Sequence, residues 1–244
     1  MASSAARALR EAVHANLGRV RDRLAAACAK AGRDPASISL VLVTKYGGPS
    51  LVEALVAEGA LDLGEARSER IVRLDATVAG PRPRWHMVGH LQRNKANKVA
   101  PILSVLHSLD SLELAKKLDE RRQGAPLPVY VEVNTGGEEQ KSGVAPGELE
   151  AFVRSLAPLA NLRVQGLMTM PPDTDDPAGA RPYFAKLREL LPRLAALGAP
   201  RGLSMGMSHD LEVAVEEGAT TVRVGRALLD GIEDEVLRED RERA

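Results

Sequence analysis

The feature that most constrains this chain is an alternation, repeated eight times, of a short apolar or β-branched run and a longer amphipathic stretch. The strand-like runs are Ser39–Thr44, Leu61–Gly64, Arg84–Gly89, Ser104–Leu109, Pro128–Asn134, Leu162–Met168, Leu203–Met207 and Thr221–Val224. The helical stretches after them are Pro49–Glu58, Ala66 to about Thr77, Leu91–Ala100, Ser111–Gln123, Pro146–Leu156, Pro177–Leu197, Asp210–Glu217 and Arg226–Asp234. Strands that alternate with helices must run parallel, with each helix serving as a crossover. Eight such units in about 200 residues fit a closed (β/α)8 TIM barrel better than an open doubly wound sheet. No G-x-G-x-x-G comes after the first strand, which removes the main reason to expect a dinucleotide fold. Ahead of the first strand, residues 5–31 read as one long helix with Leu9, Val13, Leu17, Val20, Leu24 and Cys28 on a single face. Gly32 and Asp34-Pro35 end it. The expectation is one domain over 1–244, an α/β barrel from about 39 to 234 behind an extra N-terminal helix.

Composition narrows the partners. The chain's 33 basic and 33 acidic residues cancel, leaving no net pull toward nucleic acid or a membrane surface. One Trp, three Tyr and two Phe leave little to stack nucleobases. The single Cys28 excludes a disulfide framework within the chain and any cysteine zinc site, and its place on the apolar helix face makes it a core residue. His90, His107 and His209 belong to different units and lack H-E-x-x-H spacing, so no metal site is expected. No apolar run approaches the roughly 20 residues of a membrane span, and the N-terminus lacks a signal-peptide pattern. A cytoplasmic location is expected.

Barrel active sites lie at the C-terminal ends of the strands. Here those positions hold Lys45, Gly64-Glu65, His86 with Gly89-His90, His107 with Asp110, Asn134, Met168, Ser208 and Gly225. Lys45 ends a run, Val41–Thr44, that is apolar enough to be buried on both faces. A lysine half-sunk there would have a lowered pKa and act as a Schiff-base nucleophile; the alternative is a stem along the sheet and a head in water. After the seventh strand, Ser204–Asp210 turns at Gly206 with Ser208 as a candidate helix N-cap. After the eighth, the chain turns at Gly225-Arg226. Two adjacent helix starts after strands seven and eight form the barrel's usual phosphate site. A Schiff-base lysine facing a phosphate cradle suggests pyridoxal 5'-phosphate, although a class I aldolase would use the same pair for a sugar phosphate. Arg223, inward near the end of strand eight, is a candidate partner for a pyridine nitrogen. His86 is either a packed core histidine or a ligand-facing one. Glu65 is either a general base or the partner of a neighbouring arginine. Gln92–Lys98 reads as a solvated helix face and the tail 233–243 as a polar, frayed helix.

These segments also resemble a known family. Leu42-Val43-Thr44-Lys45, Trp85-His86-Met87-Val88-Gly89-His90-Leu91-Gln92-Arg93-Asn94-Lys95, Leu106-His107-Ser108-Leu109-Asp110, Val133-Asn134, Lys141-Ser142-Gly143, Gly166-Leu167-Met168, Leu203-Ser204-Met205-Gly206-Met207-Ser208 and Val222-Arg223-Val224-Gly225 look like the pyridoxal phosphate homeostasis proteins. The likeness runs in unbroken order from about 39 to 229. It implies a fold-type III barrel similar to the N-terminal domain of alanine racemase. It also implies a cofactor held as an aldimine on Lys45, with Ser208 and the Gly225 turn at its phosphate and Arg223 near its ring nitrogen. His86, Met168 and Arg226 complete the expected cofactor contacts. Members are regarded as carriers or regulators of the cofactor, with dependent apoenzymes as recipients and a monomer or weak homodimer as the expected state.

Three departures stand out. Tyr46 comes after Lys45, where the family has Thr or Lys. Ala66 comes after Gly64-Glu65 where an asparagine is usual, and Arg226 comes after Gly225 where a hydroxyl residue is usual. The expectation is weakened or altered cofactor affinity. Racemases of this fold draw a second acid–base group from a further domain, and none is expected after residue 234, so a binding protein is the first reading. A small amino-acid racemase or aldolase-like lyase is the second.

Overall fold

A computed structural model describes residues 4–138, 140–195, 197 and 202–242. Eight parallel strands close a barrel in chain order: β1 (Ser39–Val43), β2 (Asp62–Glu65), β3 (Arg84–Met87), β4 (Leu103–Leu109), β5 (Leu127–Glu132), β6 (Leu162–Met168), β7 (Gly202–Ser204) and β8 (Thr221–Val224). The ring closes where β1 pairs β8, from Ser39 opposite Thr221 to Leu42 opposite Val224. Around it run α1 (Ser4–Lys30), α2 (Pro49–Ala57), α3 (Ser68–Thr77), α4 (Ala96–Val99), α5 (Leu112–Arg121), α6 (Leu149–Leu156), α7 (Arg181–Ala195), α8 (Leu211–Glu216) and α9 (Asp234–Glu242).

The strands' period of two sorts their side chains into an outer and an inner set. Leu42, Leu63, Trp85, Leu106, Val131, Leu167 and Val222 point outward and join the apolar faces of the helices in one continuous core. The inner set is mostly polar: His86, His107, Tyr130, Glu132, Ser204, Thr221 and Arg223 are all buried. Val41, Val43 and Val88 make a small apolar cluster inside. The six apolar positions of α1 are buried as their spacing predicts, and the helix packs on α2, α8 and the turn after β8. Asn16 ties α1 to that turn by donating to the carbonyls of Leu228 at 2.8 Å and Asp230 at 2.9 Å.

Two crossovers differ from the expected ones. The helix predicted over Leu91–Ala100 is a 3-10 turn at Arg93–Lys95 and then the four residues of α4. Pro101 stops the chain there, leaving room for a single turn. The helix predicted over Arg226–Asp234 is a 3-10 turn at Arg226–Leu228, and Gly231 in the left-handed region (φ 74°) keeps it from continuing toward Asp234. The tail is helical as expected, but α9 is anchored, not frayed, by buried Leu237 and Asp240; residue 243 lies outside the described residues. The seventh strand stops at Ser204 and not Met207, because Gly206 takes a φ of 92° and carries the chain out of the sheet.

Candidate functional site

A cavity of about 440 Å³ opens at the C-terminal ends of the strands. Five of the seven predicted cofactor contacts line it together: Lys45, Ser208, Arg223, Gly225 and Arg226. They lie at and just beyond the ends of β1, β7 and β8, and the closure that pairs β1 with β8 brings Lys45 beside the others.

Lys45 is not half-sunk, as its place after an apolar run suggested. β1 ends at Val43, and the buried Thr44 takes the outward step, its hydroxyl reaching the Gly64 carbonyl at 3.2 Å and Glu65 at 3.3 Å. Lys45 is thereby the first exposed residue of the turn, with its ammonium 4.7 Å from the centre of the Tyr46 ring. The turn itself is held from three sides. Arg70 donates to the Gly47 carbonyl, Arg241 to the Tyr46 carbonyl at 2.8 Å, and the Gly48 amide donates to Asp240 at 2.6 Å. Glu65 is fully buried and accepts from Arg70 at 3.0 Å and from the Ala66 amide at 2.7 Å. It is the partner of a neighbouring arginine, and both its oxygens are engaged.

On the opposite wall the amides of Gly225 and Ala227 converge on one atom, Ser208 Oγ, at 3.2 and 3.3 Å. Ser208 is therefore not the N-cap of α8 that its position suggested. The turn before α8 is held by Asp210, whose Oδ1 accepts from the Met207 amide at 2.6 Å. Glycine is required at 206 because a Cβ there would overlap that of Ala214. Two amides already aimed at a single oxygen, beside Ser208 and Arg226, form a concavity suited to an anion. These residues fit a cofactor that carries both a phosphate and an aldehyde.

Arg223 lines the same cavity but is held from below. Its Nη1 donates to Ser204 Oγ at 2.6 Å and its Nη2 to the Thr169 carbonyl at 3.2 Å. Burial lowers its pKa to about 10, with Asp210, Glu132 and Tyr130 opposing, so it remains a cation near neutrality. From Ser204 a chain of hydrogen bonds crosses the barrel interior: His107 Nδ1 at 2.7 Å, His107 Nε2 to His86 Nδ1 at 2.9 Å, then His86 Nε2 to Asp62 at 3.1 Å. One assignment satisfies every partner with neutral rings. Ser204 donates to His107, His107 to His86, and His86 to Asp62. Burial, then His86 and Arg223, hold the pKa of His107 well below the usual histidine value, so it is neutral. Burial pushes the Asp62 carboxyl up, but hydrogen bonds from His86 and Arg84 outweigh it and keep the group well below the carboxylate range. His86 is thus part of this buried chain and does not line the cavity. Met168 is buried in the barrel and does not line it either; Met170 and Met207 do.

The site contains a group that strand-end positions alone do not reveal. Glu132 is two residues beyond Tyr130 on β5 and shares its inward face, an alternation the sequence does carry. It lines a second cavity of about 380 Å³ that shares Val88, Gly89, Met170, Asp173 and Met207 with the first. Burial and the nearby Asp110 raise its pKa to about 7, with Arg223 opposing.

The model of the alanine racemase N-terminal domain family matches residues 10–231. The pyridoxal phosphate homeostasis protein of Pseudomonas aeruginosa is 41% identical over 215 residues, which cover 87% of this chain and 93% of that protein. The chain belongs to the pyridoxal phosphate homeostasis protein family. A structure of an unknown protein from Bifidobacterium adolescentis aligns at 34% identity with a TM-score of 0.80, covering 93% of this chain and 97% of that one. PipY of Synechococcus elongatus PCC7942, solved with PLP bound, aligns at 30% identity with a TM-score of 0.73, covering 86% and 99%. Within the family frame, all three departures fall on the cavity wall: Tyr46 beneath the Lys45 ammonium, Ala66 beside it, and Arg226 at the edge of the turn.

Proposed function

We propose that this chain holds pyridoxal 5'-phosphate on Lys45, with its phosphate at Ser208 and the Gly225–Ala227 turn, and passes it to dependent apoenzymes. The observation that carries this reading is the convergence of the Gly225 and Ala227 amides on one oxygen, in the cavity that Lys45 and Arg223 also line. When bound, the cofactor supplies an aldehyde that condenses reversibly with an amine and a ring that withdraws electrons. The chain's own residues determine how strongly that ring acts. Arg223 keeps its proton and spends two donors on Ser204 and Thr169. A guanidinium so fixed offers a ring nitrogen a hydrogen bond but no proton, which favours holding the cofactor over carbanion chemistry. At the phosphate end, Arg226 is exposed and unpaired among the described residues, and it replaces a short hydroxyl contact with a longer, charged one. At the other end, Ala66 leaves the wall next to Lys45 without a side-chain donor.

Absorbance on adding pyridoxal 5'-phosphate tests the reading. A visible band should appear in the wild type, be absent in Lys45→Ala, and be fixed on Lys45 by borohydride. No band at saturating cofactor rejects the proposal. Ala66→Asn and Arg226→Thr should tighten binding, and unchanged affinity in both rules out a role for these departures. Amino-acid turnover that depends on Lys45 would favour the enzyme reading over the carrier.

A further inference from the structure

The second cavity has a largely buried carboxyl with no bonded partner among the described residues, opposed only through space by Arg223. Glu132 is only 8% exposed, yet it lines the cavity, because β5 aims it into the barrel mouth as it aims Tyr130 into the interior. Its carboxyl has no hydrogen bond or ion pair among the described residues. The cations around it are engaged elsewhere. Arg223 is bonded to Ser204 and Thr169, and Lys141 is paired with Glu138. Asp110, from the end of β4, adds a second negative group and is itself paired with His90 at 3.6 Å. A carboxylate largely withdrawn from bulk water and facing a cavity is costly to ionise, and a cation that enters the cavity relieves that cost. The remaining wall is mixed: Val88, Val133, Met170 and Met207 give it an apolar part beside polar Asn134 and Ser142, and about 380 Å³ is room for a small organic molecule. No group of three His, Cys, Asp or Glu suited to a metal ion occurs among the described residues, so the geometry favours an organic cation.

We propose that this cavity binds a primary ammonium compound with a short apolar chain, anchored by the Glu132 carboxylate. Because it shares a wall with the cavity at Lys45, it would bring an amino compound beside the cofactor aldehyde; that consequence, unlike the site itself, rests on the function proposed above. Binding depends on pH. Asp110 from β4, Arg223 from β8, Lys141 from the loop after β5, Asp173 from the loop after β6, and His90 behind Asp110 set the field at Glu132. With its pKa near 7, the ionised fraction of Glu132 rises about tenfold between pH 6 and pH 8, and the apparent affinity rises with it.

The test is calorimetric or ligand-observed NMR titration of n-butylamine, protonated throughout that range, into the full chain without added cofactor. Wild type should bind about tenfold more tightly at pH 8 than at pH 6. Glu132→Gln, nearly isosteric, should lose both the affinity and its pH slope. n-Butanol, which has the same chain without the charge, should not bind the wild type, and this comparison decides the matter if Glu132→Gln folds poorly. Wild-type affinity in Glu132→Gln, absence of amine binding at pH 8, or equal binding of n-butanol and n-butylamine would overturn the proposal. The visible band at Lys45 is read separately, so loss of the amine signal with that band intact overturns this site alone.

Discussion

The turn that presents Lys45 depends on a residue almost two hundred positions away. Asp240, on α9, is 4% exposed, and its carboxylate accepts from three amides at the start of α2: Gly48 at 2.6 Å, Ser50 at 2.9 Å and Leu51 at 3.1 Å. These are the orphan donors of a helix N-terminus, met here by a side chain from another helix. Nothing local replaces it, because Gly48 at the N-cap position has no side chain to offer. Asp240→Ala removes all three acceptors. A hydrogen bond to a charged group contributes about 1.5–3 kcal/mol, but one carboxylate serves all three amides and they are not additive. The expected loss is about 3 kcal/mol, in line with or slightly above a strong helix cap. In a chain of this size that lowers Tm by about 6–12 °C. Hydrogen exchange localises the effect: the Gly48, Ser50 and Leu51 amides should lose about a hundredfold of protection, before the barrel strands lose any. Gly48→Ala attacks the same contact from the other side, since its Cβ would overlap the Asp240 carbonyl. The two losses should therefore fall well short of additivity in the double variant. A loss under about 1 kcal/mol in Asp240→Ala, with exchange at the three amides unchanged, would refute the reasoning.

The buried polar groups give two further expected outcomes. Ser204→Ala leaves Arg223 Nη1 and His107 Nδ1 without their shared partner, which should cost about 2–3 kcal/mol in urea denaturation; a cost under about 1 kcal/mol would mean the chain of bonds is not needed. Glu132 has a folded pKa of about 7 against 4.5 unfolded, so the unfolded chain gives up this proton first and wild-type stability falls as pH rises between those values. Glu132→Gln removes that slope: it should match wild type at pH 4 and exceed it by about 3 kcal/mol at pH 8, and parallel pH profiles of the two proteins would falsify this.

Period and punctuation made the barrel legible, because each strand and most helices are determined by residues within ten positions of one another. The eight-unit count, the buried face of α1 and the strand ends all rest on such local patterns. Elements fixed by distant partners were not legible. Residues 226–234 carry helical propensity, yet the amides that would start that helix are drawn to Ser208, and Gly231 completes the break. The tail reads as charged and frayed because nothing near it names α2 as its partner. At the site, Lys45, Ser208, Arg223, Gly225 and Arg226 came from strand-end positions and a family resemblance, and one cavity brings them together. His86 shows where strand-end placement loses resolution. Being on an inward position near a strand end does not distinguish the mouth from the layer beneath it, where His86 bonds His107 and Asp62. Glu132 is illegible for the converse reason: in sequence it is one polar residue in an alternating strand, and three-dimensional neighbours reveal that it lacks a bonded partner among the described residues.

The exposure of Lys45 bears on what kind of protein this is. A lysine sunk in an apolar mouth would be shielded from water, which suits an enzyme that must protect a reactive adduct through a catalytic cycle. Lys45 has its ammonium in the open beside Tyr46 while the backbone behind it is clamped by Arg70, Asp240 and Arg241. A clamped backbone fixes where the nitrogen is offered. If Lys45 holds the aldehyde as proposed, the open face would let water reach the bond formed there. Release of an aldehyde from an amine consumes one water, so on that proposal the rigid turn and the exposed lysine would suit reversible carriage better than turnover.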